Sequence, residues 1–126
     1  MHVLIANDFA AVRSGISGLL RDALPGTTFA EAGDREQTLS LLATQTFSIV
    51  LLDIKINTPG SNGLDLLRAI NALYPGLPVV LLGIQPENQY AQPCIRAGAA
   101  GYINLDNAPE RLAQEVARVL ARERNG

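Results

Sequence analysis

Three polar side chains follow apolar runs of the sequence, and together they could bind a cation. Asn7 and Asp8 come after the run His2–Ala6, and Asp53 ends the run Ser48–Asp53. Two carboxylates that lie close together repel each other unless one is protonated or a cation lies between them. Carboxylate, amide and carbonyl oxygens suit Mg²⁺, and a metal-bound aspartate can act as a nucleophile toward phosphorus. The alternative is that Asp8 and Asp53 are only helix caps or loop residues.

Two kinds of element alternate along the chain and would position these side chains. Five runs are predicted to be strands: His2–Ala6, Thr27–Ala32, Ser48–Asp53, Pro78–Gly83 and Gly101–Asn104. The segments between and after them have apolar residues at the spacing of one helical face, as in Val12, Ile16, Leu19 and Leu20. Two of the strands are apolar on both faces, which is typical of a parallel sheet covered by helices. The sequence therefore predicts a doubly wound five-stranded α/β domain, in which ligands bind at the carboxyl ends of strands.

Local signals mark the ends of several helices. Asp34 with Gln37 fits a capping box at the start of the second helix. Asn107 and Pro109 mark the start of the last helix, because proline suits the first helical position. The pair Pro75-Gly76 closes the third helix.

Composition limits the classes of protein that the chain can belong to. The 126 residues are 48% hydrophobic and 17% charged with a net charge of −2, which indicates one globular domain without a basic face for nucleic acid. No apolar run is long enough to cross a membrane, and the first residues lack a signal peptide, so a cytoplasmic location is predicted. The single cysteine, Cys94, is predicted to be a buried or half-buried, unreactive thiol. No hydrolase triad, P-loop or dinucleotide motif is present, so an enzyme is not predicted.

Four segments resemble the receiver domain of bacterial two-component response regulators, of the type found on LuxR/NarL-like transcription regulators. They are VLIANDFAAVRSGI, IVLLDIKI with the following PGSNGLDLL, LPVVLL and, most specifically, RAGAAGYI. The resemblance implies a flavodoxin-like (β/α)5 fold with strand order 2-1-3-4-5, a receiver domain over residues 1–122 and a linker or tail over 123–126. It further implies signalling through protein contacts, with a histidine kinase or another signalling protein as partner. A homodimer and a helix-turn-helix output domain outside this chain are the other partners that it implies, whereas no membrane partner is implied.

The resemblance also implies roles for the polar residues at the carboxyl ends of the strands. By this resemblance, Asp53 is the residue that receives the phosphoryl group. Asp8 is a direct ligand of Mg²⁺, and Asn7 is a ligand through a water molecule. The backbone carbonyl of Lys55 is a third contact of the metal.

Several positions depart from the family pattern. Asn7 stands where the family has a second acidic residue, Gly83 where it has a hydroxyl residue, and Leu105 where it has a lysine that pairs with the phosphate. A phosphoryl group carries about −1.5 to −2 charges and three acceptor oxygens, for which Gly83 and Leu105 have no side-chain partner. We therefore predict a degenerate site, with weakly bound Mg²⁺ and weak or no phosphorylation at Asp53. The alternative is an ordinary Mg²⁺-dependent receiver that a histidine kinase phosphorylates at Asp53 and that controls a transcription-regulator output domain.

The loop after the acceptor is longer than in the family pattern. Pro59 and Gly63 each lie two residues later than expected, which implies an insertion near Asn57 and Thr58. Lys55 or Thr58 could then replace the missing cation or the missing hydroxyl.

Two further predictions concern the region that reports the switch in this family. Pro93 should be the first residue of a short fourth helix, with Gln92 non-helical and the segment Gln85–Gln92 irregular. In the family the aromatic residue on strand five exchanges between buried and exposed positions. Tyr102 should be turned inward here, because Gly83 has no side chain to oppose the buried position. The alternative is an exposed tyrosine at a partner surface.

Overall fold

Five strands alternate with five helices in the computed structural model, which describes residues 1–56, 63–107 and 109–125. The strands are β1 (His2–Ala6), β2 (Thr28–Ala32), β3 (Ile49–Asp53), β4 (Val79–Gly83) and β5 (Gly101–Asn104). The helices are α1 (Ala10–Ala23), α2 (Arg35–Thr44), α3 (Gly63–Leu73), α4 (Glu87–Arg96) and α5 (Pro109–Asn125). The predicted strands agree with these bounds to within one residue.

All neighbouring strands pair in parallel, and their order is β2-β1-β3-β4-β5. This arrangement confirms the predicted flavodoxin-like fold. β1 and β3 are neighbours, so the residues that follow Ala6 lie beside the end of β3. On the other side of β3, Asp53 is in register with Leu82, and Gly83 is in register with Asn104 of β5. The carboxyl ends of β1, β3, β4 and β5 therefore form one edge.

The sheet separates two apolar cores. Along β3, Val50 and Leu52 face the core under α2, α3 and α4, whereas Ile49 and Leu51 face the core under α1 and α5. Successive side chains of a strand point to opposite faces, so a strand covered on both sides must be apolar throughout. This burial explains why the central strands lack the alternating pattern of a half-exposed sheet.

The predicted helix caps agree with the structure. Asp34 caps α2, and its carboxylate accepts a hydrogen bond from the Gln37 N–H at 2.8 Å. The Gln37 side chain returns to the N–H of Gly33 at 2.7 Å, one residue earlier than in the standard capping box. Pro109 is the first residue of α5, which continues to Asn125. The domain boundary at residue 122 stays a prediction.

The prediction for the fourth helix was wrong. α4 begins at Glu87 and is continuous through Arg96, so Gln92 is helical and Pro93 lies inside the helix. Proline inside a helix removes one N–H and disfavours the helical conformation of the preceding residue. Here the favourable contacts of the preceding turns outweigh that cost.

Those contacts hold the first turn of α4. The carbonyl of Pro86 accepts hydrogen bonds from the N–H groups of Gln89 and Tyr90 at 3.2 and 3.1 Å. The Glu87 carboxylate accepts a hydrogen bond from the Asn104 N–H at 3.1 Å and others from the side chains of Asn107 and Arg111. Tertiary contacts have therefore overridden the local effect of the proline.

Cys94 is buried on α4, as predicted, and only 2% of it is exposed. Burial raises the pKa of its thiol. A buried thiol with a raised pKa is a poor nucleophile, because the reactive form is the thiolate.

Among the helices of the described residues, none combines the length and the apolar character needed to span a membrane.

Candidate functional site

Asp53 lies at the carboxyl edge of the sheet, where β3 ends between β1 and β4. Its carboxylate is partly buried, and both oxygens accept hydrogen bonds from the protein. The Asn7 side-chain amide donates to Oδ2 at 2.9 Å, and the Lys55 N–H donates to Oδ1 at 2.9 Å. The carboxylate is therefore held in place by the protein itself.

Asn7 is fixed in one orientation by its other bonds. Its side chain is buried, and its Oδ1 accepts a hydrogen bond from the Phe9 N–H at 2.8 Å. Since Oδ1 faces Phe9, the amide nitrogen must face Asp53. The backbone is also held: the Asn7 N–H donates to the carbonyl of Ala32 at 3.0 Å, and the Asn7 carbonyl accepts from Arg13 at 2.6 Å. Asn7 thus gives Asp53 a hydrogen bond where a second carboxylate would repel it.

The charge of Asp53 is less favourable than that of an exposed aspartate. Burial raises the pKa of this carboxyl above its ordinary value, and the nearby charge of Asp8 raises it further. The hydrogen bond from the Lys55 N–H and the charge of Lys55 lower the pKa, but they do not outweigh burial. The charge of Asp8 therefore acts on Asp53.

The residues at this edge fit a divalent cation held by few ligands. Asp8 and Asp53 offer carboxylate oxygens, and the Lys55 carbonyl is an oxygen of the kind that Mg²⁺ accepts. A cluster of three or more acidic, histidine or cysteine side chains that could hold a metal does not occur among the described residues. A metal-bound water donates hydrogen bonds, so Asn7 would meet it through Oδ1, which also accepts from the Phe9 N–H and has two lone pairs. The donor set therefore suits Mg²⁺.

Tyr102 is turned inward, as predicted, with only 3% of it exposed. Its hydroxyl accepts a hydrogen bond from the Gln85 N–H at 3.0 Å and donates one to the Gln85 carbonyl at 2.9 Å. A Cβ added to Gly83 would lie 2.7 Å from this hydroxyl, which is closer than real Cβ contacts come. The tyrosine therefore fills the space of a side chain at position 83. Burial raises the pKa of the Tyr102 phenol, so the hydroxyl keeps the proton that it donates.

Leu105 belongs to the apolar core rather than to the acidic edge. Its side chain is partly buried and packs against the cluster under α1 and α5. Its N–H donates a hydrogen bond to the Gly83 carbonyl at 2.7 Å. Beside it lies an apolar cavity of about 410 Å³ between α1 and the start of α5, lined by residues that include Val12 and Leu112. Leu105 and Gly83, the two positions that depart most from the family pattern, are thus joined by a backbone hydrogen bond.

The loop after Asp53 is described only in part. Lys55 is exposed, and its charge acts on Asp53. The predicted insertion near Asn57 and Thr58, and the hydroxyl that Thr58 could supply, lie outside the described residues. Gly63 is the first residue of α3, and a Cβ there would lie 2.7 Å from the Ile54 Cα, so this position requires glycine.

Sequence reasoning missed two residues of this region, Gln85 and Glu87. Gln85 does lie in the predicted loop, but its bonds to Tyr102 were not predicted, whereas Glu87 belongs to α4 and not to the loop that Pro93 suggested. The dipeptide Pro86-Glu87 was the available signal, since proline and acidic residues are favoured at helix starts.

Comparison with known proteins agrees with this fold. The family model of the response regulator receiver domain matches residues 3–117. The chemotaxis protein CheY of Pseudomonas aeruginosa is 32% identical over 124 residues, which cover 97% of this chain and 98% of that protein. The crystal structure of the receiver domain of NtrX from Brucella abortus superposes with a TM-score of 0.83 at 30% identity, covering 94% of this chain and 98% of that one. The chain belongs to the response regulator receiver domain family.

Longer relatives match over part of their length. The response regulator UvrY of Escherichia coli is 28% identical over 124 residues, which cover 98% of this chain but 56% of that protein. The chain thus spans little more than half the length of this relative.

Proposed function

We propose that this receiver domain signals mainly through protein–protein contacts, with weak or no phosphorylation at Asp53. The observation that carries the proposal is the state of positions 83 and 105. Gly83 has no side chain and its space is filled by Tyr102, whereas Leu105 packs in the apolar core. Neither position offers a hydroxyl or a cation to a phosphoryl group on Asp53.

The missing groups matter because phosphoryl transfer depends on electrostatic stabilisation. Negative charge is spread over the three equatorial oxygens of the phosphoryl group in the transition state. Loss of one preorganised donor to such oxygens costs about 10²–10³ in rate in a well-studied acyl transfer. In the product, charge-assisted hydrogen bonds would contribute roughly 1.5–3 kcal/mol each. Asp53 should therefore be phosphorylated slowly, and the phosphorylated form should be less stabilised by the protein.

The hydrogen bond between Asn7 and Asp53 supports the same proposal. It satisfies Oδ2 of the carboxylate without a metal. When bound, Mg²⁺ would neutralise charge on the phosphoryl oxygens, and Asp8, Asp53 and the Lys55 carbonyl are the residues that would hold it. With a buried amide in place of a second acidic residue, this site would hold the ion weakly.

The second candidate function is that of an ordinary receiver domain, which a histidine kinase phosphorylates at Asp53. The observation that favours it is the position of Asp53 at the end of β3, where the charge of Asp8 acts on it. Both candidates take a histidine kinase or another signalling protein as partner. A homodimer and a C-terminal helix-turn-helix output domain are further proposals, and for the latter the greater length of UvrY is the support.

The test is labelling of Asp53 by acetyl phosphate in Mg²⁺, followed by intact-mass spectrometry. We expect slow, incomplete labelling of the wild type and none of Asp53→Asn. The variant Leu105→Lys restores the cation and leaves Tyr102 in place, so it should label about tenfold faster or more. Leu73→Lys is the matched control: the same change at an exposed leucine of α3, 62% exposed, should label like the wild type.

The variant Gly83→Thr is less suitable as a first test. Its Cβ would collide with the Tyr102 hydroxyl, so it alters the tyrosine as well as adding a hydroxyl. Fast, stoichiometric labelling of the wild type that Leu105→Lys fails to improve would refute weak phosphorylation. It would point instead to Lys55 or Thr58 as the replacement group.

A further inference from the structure

Gly83 lies between two side chains, one from β5 and one from the residue that follows β3. A Cβ at this position would lie 2.7 Å from the Tyr102 hydroxyl and 3.2 Å from the Cγ2 of Ile54. Ile54 directly follows Asp53 in the chain. A side chain at position 83 would therefore touch both the segment that carries Asp53 and the ring of Tyr102. Glycine has no side chain that could press on either group.

The Tyr102 hydroxyl both accepts and donates a hydrogen bond, and both bonds are to Gln85. It accepts from the N–H of Gln85 and donates to the carbonyl of the same residue, at 3.0 and 2.9 Å. Because the ring is buried, water has little access to these two bonds. Gln85 immediately precedes Pro86, the N-cap of α4. The position of the tyrosine therefore sets where α4 begins.

Glu87 provides a second tie between the same two parts of the molecule. Its carboxylate accepts from the N–H of Asn104, at the end of β5, and from the side chains of Asn107 and Arg111 beyond it. The β4–α4 loop, residues 84–86, is thus bordered by bonds to β5 and to the segment after β5. The bonds from Tyr102 and to Glu87 are made without Asp53.

We propose that Tyr102, seated against Gly83, holds the β4–α4 loop in one conformation that does not respond to Asp53. The proposal rests on the proposed function only in taking Asp53 as the input of the domain. The surface formed by the β4–α4 loop and α4 is then constant. A partner that reads this surface binds it equally well whether or not Asp53 carries a phosphoryl group.

The test uses ¹⁹F NMR of the chain labelled with 3-fluorotyrosine. The sequence has three tyrosines, so three resonances are expected, and single substitutions to phenylalanine assign them. We expect the Tyr102 resonance of the wild type to stay unmoved when Mg²⁺ and acetyl phosphate are added. In Gly83→Ala the new methyl group should expel the ring, moving the resonance and increasing its broadening by a soluble paramagnetic agent several-fold.

The matched control is Gly18→Ala. A Cβ at this glycine of α1 meets nothing within 4 Å, so the Tyr102 resonance should not change. The proposal is overturned by a wild-type Tyr102 resonance that moves on treatment when that of Asp53→Asn does not. It is also overturned if Gly83→Ala keeps the ring as protected as in the wild type. If mass spectrometry finds no label on Asp53, the comparison of Gly83→Ala with the wild type alone tests the proposal. A lack of labelling is therefore distinguished from a lack of contact between Tyr102 and Gly83.

A second measurement applies if Gly83→Ala does not fold. Tyr102→Phe removes the hydroxyl that accepts from the Gln85 N–H. The hydrogen exchange of that amide should then accelerate by about tenfold relative to the wild type. Tyr74→Phe, in the loop between α3 and β4, is the control and should leave the exchange of the Gln85 amide unchanged. Equal exchange of the Gln85 amide in Tyr102→Phe and the wild type contradicts the proposal.

Discussion

The carboxyl edge of the sheet has two halves with different chemistry. In the acidic half, at the ends of β1 and β3, Asp53 accepts hydrogen bonds from Asn7 and Lys55 and interacts with the charge of Asp8. In the aromatic half, at the ends of β4 and β5, Tyr102 fills the space beside Gly83. Under the proposed function, the acidic half would receive a phosphoryl group, whereas the aromatic half has neither a hydroxyl at position 83 nor a cation at position 105 to bind it. The proposed function therefore assigns receipt of the phosphoryl group and its binding to different halves of this edge.

The halves also differ in how they should contribute to stability. Tyr102 is a large, buried side chain with both hydrogen-bonding functions satisfied, and such groups stabilise folded proteins strongly. Asp53 is partly buried, and burial makes its charge unfavourable. We therefore expect the aromatic half to stabilise the folded state. The acidic half should change the free energy of unfolding little or lower it slightly. The following predictions test this comparison, from the largest expected effect to the smallest.

The largest effect is expected for Tyr102→Ala. Truncation of a buried aromatic residue removes its apolar contacts and leaves a cavity, which typically costs about 3–5 kcal/mol. The Gln85 N–H and carbonyl also lose their partner. Urea unfolding followed by circular dichroism should show this loss in the free energy of unfolding.

Tyr90→Ala is the matched control for this prediction. Tyr90 is 36% exposed, and its ring lies 6.2 Å from that of Tyr102. Truncation of Tyr90 should lower the free energy of unfolding clearly less than truncation of Tyr102 does. Equal losses would show that the ring of Tyr102 is not the main support of the aromatic half.

A middle effect is expected for Asn7→Asp, which replaces an amide by a carboxylate of the same shape. The new carboxylate can still accept from the Phe9 N–H, but it can no longer donate to Asp53. Without a metal, the lost hydrogen bond and the added repulsion should cost about 1–3 kcal/mol. With the extra charge, Mg²⁺ should bind about tenfold more tightly or better. Urea unfolding at several Mg²⁺ concentrations measures both effects, because a ligand of the folded state stabilises it.

The control for this substitution is Asn71→Asp. Asn71 is on α3, and its amide donates to the Gly98 carbonyl at 3.2 Å. This variant changes the same groups away from Asp53, so its stability should not gain from Mg²⁺. If Mg²⁺ stabilises Asn7→Asp no more than it stabilises Asn71→Asp, Asn7 is not adjacent to a cation site.

The fold could be predicted from the sequence because the dominant signals are long and repeated. The apolar runs of β3 and β4 are buried on both faces, and no local signal competes with that pattern. The start of α4 could not be predicted, because it depends on contacts between residues that are distant in the chain. Glu87 is held by Asn104 and Arg111, and these contacts outweigh the local effect of Pro93.

The candidate site was predictable in its composition but not in its bonds. The sequence suggests that Asp8 and Asp53 converge, and in the structure the charge of Asp8 raises the pKa of Asp53. It did not indicate that the amide nitrogen of Asn7 faces Asp53, because the orientation depends on the Phe9 N–H. Nor did it indicate the hydrogen bonds from Tyr102 to Gln85, since helix and loop assignments give no information about side-chain partners.

The smallest effect is the pH dependence that Asp53 should add to stability. Its pKa in the folded protein is above the ordinary value of 3.8, so the folded state binds the proton more readily than the unfolded state. The ionised carboxylate therefore lowers the free energy of unfolding. This penalty is full above the folded pKa and disappears as the pH falls through that pKa toward the unfolded value. Asp53→Asn lacks the penalty.

The measurement is the free energy of unfolding of Asp53→Asn minus that of the wild type, at about pH 7 and about pH 4. We expect this difference to be more positive near pH 7, and any pH-independent change from altered hydrogen bonds cancels between the two conditions. Asp106→Asn, at an exposed aspartate after β5, is the control for removal of a carboxylate near the same edge. A difference for Asp53→Asn that grows toward acid pH would mean that the bonds from Asn7 and Lys55 stabilise the charge more than burial opposes it. The acidic half would then support the fold as the aromatic half does, and the contrast between them would be wrong.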